Sequence, residues 1–210
     1  LISKYNKLIK EVTKQMDVFD LTTSVRLIQN FVVEDLSNWY IRRNRRRFWS
    51  GVNDTSKLAV YKVTYDILAG VCKLIAPIAP FISDEIYTNL TGEKSVHLAN
   101  YPECDDKLIN EKIESRMDLV RDLISLGRNI REEAKVKVRQ PLSSALIDAK
   151  NKSLISDLVD LIKEELNVHE VKFISDVENY MNFTVKPNFK EVGRTFGPLI
   201  KEFQTNLEKL

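Results

Sequence analysis

Five of the six residues from Arg42 to Arg47 are arginine, and no acidic residue lies between Asp35 and Asp54 to neutralise them. Cations this crowded repel one another and require counter-anions. Phosphate suits the role, because one guanidinium donates to two oxygens at once. Trp39, Tyr40, Phe48 and Trp49 flank the cluster, and aromatic faces of this kind accept unstacked bases. The residue types and their spacing therefore point to a grip on a nucleic-acid backbone with bases laid open beside it.

Helical geometry sorts the cluster. Steps of three and four put Arg42, Arg45 and Trp49 on one face. Arg43, with Arg46 or Arg47, continues the apolar stripe from Trp39 and is expected to be structural, Arg43 pairing with Glu34 or Asp35. Arg42 and Arg45 are read as phosphate contacts and Trp39 as core. Trp49 stays open between the core edge and a nucleic-acid contact. A second basic stretch, Lys135, Lys137 and Arg139, follows Arg128 and Arg131. On charge alone it reads as a solvated helix end, where cations favour the negative dipole terminus.

The signatures of catalysis are missing from the sequence. It has no glycine-rich phosphate loop and no His-Glu-x-x-His zinc motif. His97 and His169 stand apart from cysteine and from carboxylates at metal spacing. Cys72 lies on an apolar stripe and is expected to be buried and inert, and Cys104 to be a surface thiol disfavoured as thiolate by neighbouring acids. Two cysteines are too few for a disulfide framework or a four-thiolate zinc site. No catalytic residue and no metal site is assigned.

The elements that must hold these residues are mostly helical. Ile2, Tyr5, Leu8, Ile9, Val12 and Met16 give a first helix to about Val18. Asp20 or Thr22 caps a long second helix with the stripe Val25, Ile28, Val32, Leu36 and Trp39. Gly51 and the cluster at 53–55 end it. A third helix carries Leu58, Tyr61, Tyr65, Leu68, Cys72 and Ile75, broken by Pro77 and Pro80. Pro80 opens a short fourth helix to Leu90, with Asp84 and Glu85 in its first turn. A loop with an extended piece at 95–98 leads to a long helix from Asn110 to Gln140, stopped by Pro141. Strands are then expected at 142–149, 168–174 and 180–186, with helices at 153–167 and 196–210. The fold class is mainly α: a helical bundle over 1–140, then a small α+β domain over 141–210.

Composition bounds the same picture. Of 210 residues, 43% are hydrophobic and 30% charged, enough apolar surface to offset the entropy of ordering. The net charge of +2 names no polyanion partner by itself, so distribution carries that argument. No apolar run is long enough to span a bilayer. The opening residues lack a signal peptide and an initiator methionine and read as the interior of a helix, so a fragment of a longer chain is expected.

Asp35 to Trp49 closely resembles isoleucyl-tRNA synthetases. Leu74 to Tyr87 does too, in a form shared with valyl and leucyl enzymes. Ser95 to Leu98 with Tyr101-Pro102, and Gly127 to Arg131 through Lys137 to Leu142, add matches in the same order. Lys186 to Gly193 resembles the branch with eukaryotic-like enzymes, although Arg194-Thr195-Phe196-Gly197 stands where that branch usually has proline before a basic residue.

The resemblance implies the anticodon-binding part of a class I aminoacyl-tRNA synthetase, in the cytoplasm. A separate catalytic body would use ATP and magnesium to join isoleucine to tRNA(Ile). This chain would hold no cofactor and no zinc. Its partners would be the anticodon stem-loop of tRNA(Ile) and its own catalytic domain, not DNA or a membrane. The tRNA-binding residues are then Arg42, Arg45 and Trp49, with Lys135, Lys137 and Arg139 as a second set and Lys190 and Arg194 as a third. A valyl or leucyl anticodon-binding domain and a helical protein-interaction module are the alternatives.

Overall fold

A computed structural model of the chain describes residues 1–51 and 54–180. The strand expected at 180–186, the helix at 196–210, Lys190 and Arg194 lie outside the described residues, apart from Tyr180, which ends a 3-10 turn at Val177–Tyr180. The chain divides into two compact units, Leu1–Leu119 and Val120–Leu210. The boundary read at 140 marks the change from helical to mixed sequence, whereas the compact units divide earlier, inside a helix.

The first unit is helical. It contains α1 (Ile2–Asp17), α2 (Leu21–Asn30), a π-helical segment (Phe31–Ile41), α3 (Arg45–Phe48), α4 (Thr55–Ile75), α5 (Pro80–Thr91) and the start of α6 (Glu111–Glu133). Asp20 caps α2 by accepting from the Thr23 amide at 2.9 Å. Asp54 does the same for α4 through the Lys57 amide at 2.7 Å, and each cap satisfies a donor the helix cannot. Pro80 sits in the first turn of α5, and Gly92 ends it in a left-handed conformation at φ 75°, which a glycine adopts without a Cβ clash.

The core joins α1, α2, the π segment and α4 through Leu8, Val12, Ile28, Leu36, Ile67 and Leu74. Each fully buried aliphatic side chain is worth roughly 1.5–3 kcal/mol against exposure. Lys4 ties α1 to the π segment and to α6, at 3.2 Å from Asp35 and 2.7 Å from Asp118.

Two helices differ from the sequence reading. The expected second helix winds as π-helix from Phe31, so positions four and five apart share its inner face, and Phe31, Asp35 and Leu36 are buried. On α4 the buried side chains are Val60, Ile67, Val71, Leu74 and, from the expected stripe, Cys72, while Leu58, Tyr61 and Tyr65 of that stripe are exposed. Both sets are apolar, so periodicity could not choose between them.

Asp84 also has another role than a dipole partner. It accepts from Ser95 Oγ at 2.7 Å and from the Val96 amide at 2.8 Å. It thereby fastens a 3-10 turn, Val96–Leu98, where an extended piece was expected. These hydrogen bonds, the hydroxyl's first, hold its carboxyl below the ordinary carboxylate value. A depressed carboxyl lends stability that is present above its unfolded value and is lost as pH falls through the folded one. Asp84→Asn should therefore lower the urea midpoint at pH 7 and lose less on acidification from pH 4 to 2 than the native chain. Equal acid losses in the two proteins would deny this role.

The second unit holds the C-terminal part of α6, then β1 (Leu142–Asp148), α7 (Lys152–Ile155), α8 (Val159–Leu166) and β2 (Val168–Ile174). The strands pair in parallel, Leu142 opposite Val168 through Asp148 opposite Ile174, and parallel pairing requires the helical crossover that α7 and α8 supply. Val120, Ile124, Ile147, Ile155, Ile162 and Leu166 are buried. A mainly helical chain with a small α+β part is the fold class expected.

Candidate nucleic-acid interface

The arginine run is split at Asn44, where the helix breaks. Asn44 Nδ2 donates to the Tyr40 carbonyl at 2.8 Å, and α3 restarts from Arg45. Arg47 turns inward and fastens this bend. Its Nη1 donates to Asn44 Oδ1 at 2.8 Å, its Nε to Ser56 Oγ at 2.8 Å and its Nη2 to the Ser56 carbonyl at 2.7 Å. Phe48 meets Tyr61 edge-on with centroids 5.3 Å apart. Two guanidinium bonds and one aromatic pair thus pin α3 to the start of α4, and the third guanidinium bond closes the bend at Asn44.

With the bend anchored by Arg47, Arg42 and Arg45 lie exposed. Arg42 Nε donates to the Asn38 carbonyl at 2.8 Å. Arg45 lies over the Trp49 ring, 6.0 Å from its centroid. Trp49 is 79% exposed, which resolves the open reading in favour of solvent. Trp39 is only half-buried, with Arg43 over its ring at 5.5 Å. Arg42, Arg45 and Trp49 border one open hollow of about 500 Å³ with Ser37, Asn38, Ile41, Phe48 and Thr64. Sequence spacing groups the first three. It leaves open whether Arg46 or Arg47 continues the apolar stripe, and the structure has Arg46 exposed and Arg47 turned inward.

In the second unit, α6 ends at Glu133, so Lys135, Lys137 and Arg139 lie in the loop between α6 and β1, not on a helix end. All three are exposed. Lys135 adopts a left-handed φ of 55°, and the Val136 amide donates back to the Arg131 carbonyl at 2.8 Å. Arg131 itself is buried. Arg131 follows Val120, Ile124 and Gly127 by steps of four, three and four, and that helical spacing is the signal in the sequence that separates it from its exposed neighbours.

Cys72 is buried, and burial pushes its thiol up. Cys104 is half-buried and raised by burial and by Asp106. His97 and His169 are exposed. Among the described residues no three His, Cys, Asp or Glu side chains are grouped to hold a metal ion, and no helix is long and apolar enough to cross a membrane.

Residues 1–146 match the family model for the anticodon-binding domain of tRNA ligase. The chain belongs to this anticodon-binding family. Similar proteins include isoleucine–tRNA ligases of Clostridium novyi, 39% identical over all of this chain and 21% of its own length, and Cytophaga hutchinsonii, 39% identical over all of this chain and 20% of its own. That of Protochlamydia amoebophila is 40% identical, again over all of this chain and 21% of its own length. The chain spans about a fifth of the length of these curated relatives. An anticodon-binding domain handles an exposed RNA loop on a duplex stem, and the exposed arginines and tryptophan of the first unit are chemically suited to that task.

Proposed function

We propose that this chain is the non-catalytic part of an isoleucine–tRNA ligase that docks the anticodon arm of tRNA(Ile). The observation that carries the reading is the exposed trio Arg42, Arg45 and Trp49 around one hollow of an anticodon-binding bundle. Arg42 and Arg45 bond stem or loop phosphates. The exposed face of Trp49 receives an unstacked loop base, because stacking needs no particular base edge. Specific reading falls to polar groups beside it, since A-form stems hide their base edges and only an opened loop presents them.

Whole-chain similarity to isoleucine–tRNA ligases supports isoleucine over valine or leucine as the amino acid served. Activation of isoleucine with ATP and magnesium, and transfer to the tRNA, belong to a catalytic body outside this chain. Docking the arm here sets the acceptor end toward that body. The setting is cytoplasmic, and the ligand is RNA, not DNA or a membrane.

The test is filter binding of a tRNA(Ile) transcript to the chain over a salt series. Arg42→Gln with Arg45→Gln should weaken binding about tenfold at moderate salt and flatten the log–log salt slope by roughly one and a half units. A transcript with a swapped anticodon should bind more weakly to the native chain. Native affinity and slope in the double variant would reject these contacts, and equal binding of both transcripts would reject anticodon reading.

A further inference from the structure

We infer that the loop between α6 and β1 is a second, separately built RNA-backbone clamp, held in shape by Arg131 and Asn167 as positioning residues. The inference rests on the tRNA-docking reading above and adds residues that do not touch RNA themselves.

The loop is tied from beneath. Arg131 Nη1 donates to the carbonyls of Lys137 at 3.2 Å and Gln140 at 3.0 Å, and its Nη2 to those of Leu166 at 2.6 Å and Asn167 at 3.2 Å. Asn167 closes α8 in a left-handed conformation at φ 50°. Its Nδ2 donates to the carbonyls of Val138 and Arg139, both at 3.1 Å. Four loop carbonyls, those of Lys137, Val138, Arg139 and Gln140, are therefore held by two side chains. The backbone is fixed while the side chains of Lys135, Lys137 and Arg139 stay exposed.

Two features favour a polyanion as the ligand. First, none of those three cations forms an ion pair among the described residues, whereas Lys150, Lys163 and Lys172 of the same unit each lie within 3.5 Å of a carboxylate. Second, the buried Arg131 guanidinium is satisfied by neutral carbonyls, so its charge is not cancelled in place. Four cations against Glu132 and Glu133 leave the stretch from Arg131 to Arg139 at net +2. Fixing the loop in advance lowers the ordering cost of binding. Three long cationic side chains on a rigid backbone fit successive phosphodiesters of a folded RNA, contacts that position without reading sequence.

The experiment measures binding of a tRNA(Ile) transcript to the full chain over a salt series, with limited trypsin digestion in parallel. Lys135→Gln with Lys137→Gln and Arg139→Gln should weaken binding at least tenfold and lower the salt slope by roughly two units. Asn167→Gly keeps the left-handed turn and removes only the side-chain amide. It should speed trypsin cleavage at Lys135, Lys137 and Arg139 several-fold and weaken tRNA binding three- to fivefold, with the melting midpoint of the chain unchanged. Bound tRNA should slow cleavage at those sites in the native chain.

If the loop variants bind like the native chain while Arg42→Gln with Arg45→Gln does not, the clamp is rejected and the docking reading stands. If the native chain binds no tRNA, both fall. Polyglutamate that displaced tRNA from the native chain as well as competing tRNA does would assign the loop to an acidic protein surface and overturn the RNA assignment.

Discussion

Gly70→Ala should lower the stability of the first unit by about 2 kcal/mol, although helix propensity argues the other way. Gly70 lies inside α4, a 21-residue helix, and alanine at such a position is worth about 0.5–1 kcal/mol over glycine. Packing reverses the sign. A Cβ on residue 70 would stand 1.6 Å from the Tyr5 hydroxyl oxygen and 2.6 Å from its ring carbon Cζ. Moving Tyr5 aside breaks its ring contact with Phe31, whose centroid lies 5.9 Å away. Overpacking of this kind costs about 1–3 kcal/mol, and moving a rigid aromatic ring puts it toward the upper end. Urea unfolding followed by tryptophan fluorescence measures it. Tyr5→Phe should rescue little, since Cζ remains in the way, while Tyr5→Leu should make the alanine nearly silent, a coupling a double-mutant cycle reads directly. Gly51, where a Cβ would meet nothing within 4 Å, supplies the control. Native stability in Gly70→Ala would mean that α1 and α4 do not approach this closely.

That close approach also shows where sequence reading stops. The first helix, the cap at Asp20, the break at Pro80 and both strands of the parallel pair follow from local pattern, because each depends on residues within one turn or one strand. Gly70 does not, since its role is set by Tyr5, far away in sequence. The same holds at the interface. Steps of three and four bring Arg42, Arg45 and Trp49 together, and they do border one hollow. The spacing reaches that grouping by assuming an unbroken α-helix. The real path runs through a π segment and a bend at Asn44. That assumption leaves Arg46 and Arg47 undivided, because what separates them is the bend and the bonds to Ser56 on another helix. In a run of identical side chains, tertiary partners decide which ones serve the fold and which face solvent.

Arg131 is the extreme case, and its removal should be the most damaging single change. Arg131→Met should destabilise the second unit by about 3–4 kcal/mol. The side chain is 4% exposed, and four carbonyls accept from it. Hydrogen bonds from a charged donor are worth about 1.5–3 kcal/mol each, and a buried acceptor left bare costs about 1–3 kcal/mol. A full sum over four bonds would overshoot, because the carbonyls of Lys137 and Gln140 belong to an exposed loop and regain water once the guanidinium is gone. Those of Leu166 and Asn167 end α8 beside the first residue of β2, and of these Leu166 is buried. Methionine fills much of the volume, so the loss is of polar satisfaction rather than of packing. Arg131→Lys should recover less than half of it, since one ammonium cannot reach two pairs of carbonyls. Amide hydrogen exchange locates the effect: protection in Leu142–Asp148 and Val168–Ile174 should fall, while that of α1 and α4 stays near native. If Arg131→Met kept native protection in both strands, the guanidinium would not be the pin that joins the loop to the end of α8.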